Sequence, residues 1–381
     1  MSLHIISEKI KEEICVSKKK RIALWTAIML CLAGSLYCIT AFTECPGLST
    51  LRNLWIETAM TTGEHQWLAT KLFPKSVIEK VMDQQINEID GIAGLSEMDP
   101  SEFKGNEEES VYEAVPLEPA RPLDILGQRE LIVGEDDGHG GVVLVNDLDQ
   151  RIVISKITTM TYTARLVQID DSERVFIGTT DRKGSQGKLI CDYLEDEDAI
   201  VGVNASGFLD YNGVGMGGDI IGKTISRGEA WGDYFSPLYT MGFTEDDIFI
   251  AGEITDWNAY HLRDAMQSKP VIIKDGKSLM KGSSGWGLQP RTIIAQRDDG
   301  VAMFLVVDGR KPGYSLGATM EQCADILLEY GAVTAAACDG GSSSVLAYNG
   351  EIINDPSTPM ETGRYLPNAF LVARKEAQPF G

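Results

Sequence analysis

The order of apolar and polar residues divides the chain into one long apolar run, a short helical region and a larger strand-rich region. Residues 22–42 carry no charged side chain over 21 positions, about the length that a helix needs to cross a bilayer. Basic residues at 18–21 precede this run, so the positive-inside rule predicts a cytoplasmic tail at 1–21 and an extracellular remainder. An uncleaved single-pass anchor is the favoured interpretation. The alternatives are a cleaved signal peptide, whose apolar region usually spans about 7–15 residues, and a buried core helix.

Residues 43–95 show helical spacing and are predicted to form two or three short helices. The predicted helices span 48–60, 65–73 and 76–82, with a break at Pro74 and Ser76 as the last N-cap. These helices either stand between the membrane and the folded domain or pack against that domain.

Residues 96–122 are acidic and contain several prolines, a composition with too little apolar surface to fold. They are predicted to form a linker that leads into an ordered domain at 123–376. A fragment that begins near residue 115 is therefore expected to fold alone.

The region 123–376 is rich in β-branched runs bounded by turn-forming residues, which predict strands. These runs lie at 142–147, 151–157, 164–169, 174–180, 291–296, 301–307, 332–339, 345–348 and 351–354. A helix is predicted from Met320 to Tyr330, because Thr319 and Gln322 form a capping box and Gly331 suits a helix C-terminus. The predicted class is α/β in the mixed α+β sense, with a mixed sheet.

Charge and cysteine content exclude some functions. The formal net charge of −22 repels nucleic-acid phosphates, so no nucleic-acid partner is expected, and the acidity itself mainly favours solubility. The seven cysteines include no CxxC pair and no metal-ligand spacing, and at most one disulfide outside the membrane is possible.

Two aspartates end predicted strands and are followed by glycine. Asp308 precedes Gly309, and Asp339 precedes Gly340 and Gly341. In open sheets with parallel strands, ligands gather at the carboxyl ends of strands, so these side chains are expected to share a cleft. The DGGSS run offers a carboxylate, closely approachable backbone, and hydroxyl and N–H donors suited to an anion. Each aspartate can also be a plain turn former.

Six segments carry a family resemblance: VNASGF at 203–208, RTIIA at 291–295, VVDGR at 306–310, DGGSSS at 339–344, NG at 349–350 with NDP at 354–356, and RYLPN at 364–368. In this order they resemble the phosphodiester glycosidase family, that of the lysosomal uncovering enzyme, in the form of a bacterial, membrane-anchored member. The resemblance covers about 123–374. It departs at Ala205, Ser206, Cys338 and Ser342, where other residues are usual, which bears on the substrate more than on the fold.

The resemblance implies hydrolysis of the bond between a sugar anomeric carbon and a phosphate oxygen, through an oxocarbenium-like transition state. Asp339 is the predicted base or nucleophile, with Asp308 as its partner, acid or metal ligand. The resemblance also implies substrate-binding residues, namely Asn204, Gly207, Arg291, Arg310, Gly340, Gly341, Ser342, Ser343, Asn354 and Arg364. The arginines would clamp phosphate because their planar fork binds two oxygens at once.

Several choices stay open at this level. Asn204 either binds a sugar hydroxyl or acetamido group or caps backbone groups. No cofactor is assigned, although a divalent cation between the two aspartates is possible. The predicted partner is a carbohydrate-phosphate of the cell envelope or extracellular glycans. A non-catalytic glycan-phosphate binding protein and an exopolysaccharide-assembly protein are the alternatives.

Overall fold

The computed structural model of the protein describes residues 21, 24–26, 28–45, 47–62, 65–92, 131–210, 215–236, 238–282 and 286–375, with the backbone alone for 84–92. The predicted cytoplasmic tail, apart from Arg21, and the predicted linker at 96–122 lie outside these residues. None of the six cysteines within them is part of a disulfide.

Four helices begin the described chain: α1 Leu24–Phe42, α2 Leu48–Met60, α3 Trp67–Thr70 and α4 Lys75–Ile92. By length and composition α1 can cross a membrane, and it lies near the N-terminus, where a signal sequence would also lie. The predicted N-cap at Ser76 is wrong, because α4 already begins at Lys75. Proline suits the entry to a helix, where its missing N–H needs no partner, so the helix starts directly after Pro74.

The remaining elements form three sheets and two helices. The strands are β1 Gly141–Asp147, β2 Ile152–Thr158, β3 Thr163–Ile169, β4 Val175–Thr179, β5 Ala199–Asn204, β6 Thr224–Ser226, β7 Glu229–Trp231, β8 Tyr239–Thr244, β9 Phe249–Gly252, β10 Leu262–Ser268, β11 Val271–Lys274, β12 Lys277–Ser278, β13 Arg291–Arg297, β14 Ala302–Val307, β15 Ala332–Ala337, β16 Leu346–Tyr348, β17 Glu351–Ile352 and β18 Asn368–Ala373. The helices are α5 Ile190–Asp196 and α6 Met320–Glu329.

The sheets have the strand orders β1-β2-β3-β14-β13-β15-β11-β12, β7-β6-β10-β8-β9 and β17-β16-β5-β18-β4. The mixed α+β class is confirmed, and every pairing between named strands is antiparallel. The two aspartates therefore do not meet through neighbouring parallel strands. Instead β14 and β15 run in the same direction on either side of β13, so both end at the edge where Arg291 begins β13.

The first sheet separates two hydrophobic cores, one of which is covered by α6. Leu305, Ile293 and Leu327 belong to the core on the α6 side, and Phe304 and Ile294 to the core shared with the other two sheets. The predicted capping box of Thr319 and Gln322 is present, and Gly331 follows the helix with a φ of 87°. Helix α6 therefore covers one face of the first sheet, and the other two sheets cover the opposite face.

The helices after α1 have a small core of their own, centred on Ile56, Ala59 and Ile78. They nevertheless contact the strand-rich domain. Thr58 Oγ1 accepts a hydrogen bond from the Leu288 N–H at 3.0 Å, and a Cβ on Gly287 would lie 2.5 Å from the Thr58 nitrogen. The C-terminal end of α2 therefore packs directly on the loop that precedes β13.

Candidate functional site

Asp339 stands two residues after strand β15 of the first sheet, and both its backbone N–H and its backbone carbonyl are hydrogen-bonded. Its N–H donates to the Ala205 carbonyl at 2.9 Å, and its carbonyl accepts from Asn204 Nδ2 at 2.6 Å. Asn204 Oδ1 in turn accepts from Thr292 Oγ1 and from the Val345 N–H. Since Asn204 is fully buried, it fixes the backbone that carries Asp339, which is the capping role and not a direct contact with sugar.

The carboxyl group of Asp339 lies in a poorly solvated place at the cleft wall. Burial raises the pKa of Asp339 above its ordinary value, because the charged form loses water contacts. A hydrogen bond from Ser343 and the charge of Arg364 act in the opposite direction, while the nearby carboxylate of Asp210 raises the pKa further. A carboxylate with this environment is a suitable proton acceptor or nucleophile.

The glycines after Asp339 let an arginine approach the chain. Gly341 has a φ of 65°, and a Cβ there would lie 2.9 Å from Arg310 Nη2. The loop is also fixed from below, since the Gly341 N–H donates to the Pro290 carbonyl at 3.0 Å. Any side chain at 341 would displace the Arg310 guanidinium, so glycine is required for contact as well as for conformation.

Arg291 is a buried cation without a carboxylate partner among the described residues. Its guanidinium donates to backbone carbonyls only, from Nε to Ala318 at 3.2 Å and from Nη2 to Trp286 at 2.7 Å and Gly287 at 2.8 Å. Burial, together with the smaller effect of the nearby positive charge of Arg310, lowers the pKa of Arg291 to about 10. An uncompensated buried cation that lines a cleft favours an anionic ligand.

Arg310 is oriented by Gln289, which also touches the N-terminal helices. Arg310 Nε donates to Gln289 Oε1 at 2.9 Å. Gln289 Nε2 donates to the Thr58 carbonyl at 2.9 Å and to Thr61 Oγ1 at 3.1 Å. One amide side chain therefore connects the end of α2 to an arginine of the cleft.

Arg364 lies four residues before strand β18 and contacts the loop that follows Asp339. It donates from Nη2 to Asp210 Oδ2 at 2.5 Å and from Nη1 to Ser342 Oγ at 3.1 Å. Its guanidinium also lies over the Phe208 ring, 4.7 Å from the ring centre. The acid, the ring and the hydroxyl hold the planar group in one orientation, as a bidentate clamp requires.

These residues line one cleft with two connected lobes. The first, which we call the arginine lobe, has a volume of about 300 Å³ and is lined by Thr61, Phe208, Asp210, Trp286, Gln289, Arg291, Arg310, Asp339, Gly340, Gly341, Ser342, Ser343 and Arg364. The second, the apolar lobe, has about 200 Å³ and is lined by Gly207, Ile221, Leu238, Gln267, Ser268, Lys269, Trp286, Arg291, Met320, Cys338, Asp339 and Gly340. Asp339 belongs to both linings, at the junction of the lobes.

Like Asn204, two further residues singled out from the sequence, Asp308 and Asn354, line neither lobe. Asp308 is buried and accepts from Arg165 Nη1, from the Tyr314 hydroxyl at 2.7 Å, and from Asn354 Nδ2 at 3.1 Å. Asn354 Oδ1 accepts from the Leu346 N–H at 2.8 Å. Both side chains brace the loops around Asp339, so the structure favours a positioning role for them.

The donor set gives no support for a cation between the two aspartates. The Asp308 carboxylate is already paired with Arg165, and no group of three or more histidine, cysteine, aspartate or glutamate side chains suited to a metal occurs among the described residues.

Sequence reasoning missed five residues of the arginine lobe, namely Thr61, Phe208, Asp210, Trp286 and Gln289. Phe208 ends the VNASGF segment but was not predicted as a site residue. Asp210 stands two positions after the VNASGF segment, so its proximity to that segment was a usable signal. Gln289 and Trp286 precede a strand in a loop without a pattern, and Thr61 lies in a different predicted unit of the chain. Only the folded arrangement brings these three to the cleft.

Comparisons with known proteins bear on the family and the fold of the chain. Residues 197–373 match the model of the phosphodiester glycosidase family. The SPbeta prophage-derived uncharacterized protein YomE of Bacillus subtilis (strain 168) is 27% identical over 204 residues, which cover 50% of this chain and 30% of that protein. The chain thus spans less than a third of the length of this relative.

Two solved structures share the fold. One is the zebrafish N-acetylglucosamine-1-phosphodiester alpha-N-acetylglucosaminidase catalytic domain auto-inhibited by pro-peptide, with a TM-score of 0.50 and 16% identity over 59% of this chain and 82% of that one. The other is a hypothetical protein from Synechocystis, with a TM-score of 0.50 and 13% identity over 62% and 64%. At these identities the likeness is one of fold alone. Residues 197–373, slightly less than half of the chain, thus match a phosphodiester glycosidase family domain, and the fold around them is similar to that of the zebrafish domain.

Proposed function

We propose that this protein is a hydrolase that cleaves the glycosidic bond of a sugar-1-phosphodiester. The observation that supports this best is the position of Asp339, which lines both the lobe with three arginines and the more apolar lobe; Trp286 and Arg291 also line both. A phosphate in the arginine lobe and a sugar in the apolar lobe would place the bond between them beside this carboxylate. Indole faces commonly pack against apolar faces of ligands, which suits the wall formed by Trp286.

In the proposed reaction the bond between the anomeric carbon and the phosphate oxygen breaks, and its electron pair leaves with the phosphate. Asp339 acts as nucleophile on the anomeric carbon or as base toward a water that attacks it. The departing phosphomonoester has a second pKa near about 6, so it needs little help from a general acid. Arg291, Arg310 and Arg364 would stabilise the charge that the phosphate gains.

The environments of three aspartates support the choice of Asp339 for this role. Asp308 is paired with Arg165 and Asp210 with Arg364, so each of these carboxylates already neutralises a cation. Asp339 has no ion pair among the described residues, and burial raises its pKa. We therefore assign chemistry to Asp339, orientation of Arg364 to Asp210, and support of the loops to Asp308.

The substrate is proposed to be a sugar phosphodiester of the cell envelope or of an extracellular glycan. Helix α1 is long and apolar enough to act as an anchor. The basic residues before it favour a cytoplasmic N-terminus, so the domain would lie outside the cell. We propose that α1 stays attached to the mature protein.

The test uses the full chain purified in detergent and the p-nitrophenyl diester of N-acetylglucosamine 1-phosphate, followed by diesters of other sugars. In water labelled with oxygen-18 we expect free sugar and unlabelled p-nitrophenyl phosphate, identified by mass spectrometry, with rates compared in the presence and absence of a chelator. Label in the p-nitrophenyl phosphate would indicate attack at phosphorus and contradict cleavage of the glycosidic bond. Release of sugar 1-phosphate and p-nitrophenol would instead indicate cleavage of the phosphate ester and contradict the proposal. Saturable binding of the diesters without any turnover would favour the non-catalytic binding protein.

Gln289 provides a separate prediction about substrate binding. Replacing Gln289 with leucine removes the acceptor that orients Arg310, and hydrogen bonds to charged groups contribute about 1.5–3 kcal/mol, so KM should rise roughly 10- to 100-fold. Thr61→Val keeps the acceptor for Arg310 and removes only one partner of Gln289 Nε2, so its KM should rise less. Steady-state kinetics on both variants decides this, and an unchanged KM in Gln289→Leu would show that Arg310 does not depend on Gln289.

A further inference from the structure

Four large apolar side chains are exposed on the helices that follow α1. Leu51 and Trp55 of α2 are 65% and 48% exposed, and Trp67 of α3 and the following Leu72 are 52% and 47% exposed. Leu51 and Trp55 are four residues apart and so share one face of α2. Trp55 Nε1 donates to the Leu68 carbonyl at 3.1 Å, which joins this face to α3. We call these four residues the apolar collar.

The collar is fixed to the C-terminal end of α1 by specific contacts. The Tyr37 hydroxyl donates to the Leu72 carbonyl at 3.0 Å. Arg52, which is buried, donates from Nη1 to the carbonyls of Ala41 at 3.3 Å and Thr43 at 3.1 Å. These bonds leave the collar little freedom to turn away from the end of α1.

We propose that the apolar collar is a membrane-contact surface that lies in the interfacial region of the bilayer around the outer end of α1. This inference rests on the proposed anchor and does not depend on the hydrolase activity. Tyr37 lies five residues before Phe42, or about 8 Å from the end of α1 along the helix axis. If α1 spans the bilayer, the hydrogen bond between Tyr37 and Leu72 therefore places Leu72 at the level of the interface. Tryptophan is enriched at this level because its ring is apolar and its N–H is polar.

The charge beside the collar fits a lipid surface as well. Lys71 Nζ lies 5.6 Å from the centre of the Trp67 ring, and Lys75, which begins α4, forms an exposed ion pair with Glu79 at 3.2 Å. Lysine side chains at this level can extend their ammonium groups toward lipid headgroups while the stems cover apolar surface. In a chain with a net charge of −22, lysines beside exposed tryptophans favour lipid over a basic protein partner.

The collar would also limit the distance between the cleft and the membrane. Helix α2 has 13 residues, or about 20 Å, and Thr61 directly after it lines the arginine lobe. The cleft would therefore lie within about one helix length of the headgroups. Sugar phosphodiesters attached to lipid or held at the membrane surface are the substrates that such a position favours.

The experiment measures tryptophan emission of the full chain in vesicles of phosphatidylcholine with or without bromine on the acyl chains. The background is Trp25→Phe, which removes the tryptophan of α1. Five tryptophans remain in this variant, and two of them, Trp55 and Trp67, belong to the collar. Brominated lipid should lower the emission by up to the fraction that these two contribute. Adding Trp55→Phe and Trp67→Phe should abolish this loss, whereas adding Trp231→Phe, in a strand of the second sheet, should preserve it.

If brominated lipid does not change the emission of Trp25→Phe, the proposal is overturned. The same result is expected if a second copy of the chain, and not lipid, covers the collar. Brominated lipid should quench Trp25 in the wild-type chain if α1 spans. Quenching of Trp25 without quenching of Trp55 and Trp67 would therefore reject the collar and keep the anchor. Melting temperatures within the wild-type range would confirm that each variant is folded.

Discussion

Replacing Asp339 with asparagine should lower kcat by at least about 100-fold, the usual loss when base assistance is removed. The amide keeps the shape of the side chain, including an acceptor for Ser343, and removes the charge that would attack or activate water. Because burial raises the pKa of Asp339, the acid limb of the wild-type pH–rate profile should lie above the ordinary value of 3.8. Near-normal turnover in Asp339→Asn would remove Asp339 from the mechanism.

The same variant should be at least as stable as the wild type at neutral pH. A folded-state pKa above the unfolded value means that ionised Asp339 disfavours folding once the pH exceeds the unfolded pKa, and protonation removes this effect at low pH. Asparagine never ionises, so any gain in melting temperature should appear above pH 3.8 and disappear below it. Ser342→Ala, which changes the same loop without changing its charge, should show no such pH dependence. An Asp339→Asn protein that unfolds would instead identify Asp339 as a structural turn former.

Replacing Asp308 with alanine should lower the free energy of unfolding by about 3–5 kcal/mol, since removing one partner of a buried ion pair leaves the other charge uncompensated. Arg165, at 9% exposure, would keep its charge without a carboxylate, and Tyr314 and Asn354 would lose an acceptor. Denaturant unfolding measures the change directly. This loss would place Asp308 among the residues that support the cleft.

Two comparisons make the Asp308 prediction specific. Asp170→Ala breaks the half-exposed pair with Arg151 and should lower stability by no more than about 1 kcal/mol. Asp308→Leu combined with Arg165→Met removes both charges and should recover much of the stability lost in Asp308→Ala. Full stability of Asp308→Ala together with lost turnover would show that Asp308 takes part in the chemistry, contrary to our assignment.

The sequence was most informative where local rules determine structure. The bounds of α2, the capping box of α6 and the two strands before Asp308 follow from periodicity and end signals. The family segments also identified Asp339 and the three arginines that now line one lobe. The helix and strand predictions depended on residues within about a dozen positions of one another, whereas the resemblance depended on the order of segments across 203–368.

The second sheet was not predicted, because β6 and β7 have three residues each and show no alternation to detect. The role of Asn204 was left open because capping and ligand binding require the same amide, and only its full burial separates them. The role of Gln289 in connecting α2 to Arg310 depends on its contact with Thr58, 231 residues earlier in the chain. No local pattern encodes a contact of that separation.

The docking of α2 on the loop before β13 rests on three hydrogen bonds among the described residues, between Thr58 or Thr61 and Leu288 or Gln289. Between separate molecules so small a contact would seldom form. Here residues 93–130 join the helices to the domain covalently, so each partner meets the other at an effective concentration that for linked modules is commonly about millimolar. If the helices were supplied as a separate molecule at micromolar concentration, they would remain largely unbound and the cleft would lack Thr61. In the intact chain the covalent connection keeps Thr61 in the cleft although the contact itself is weak.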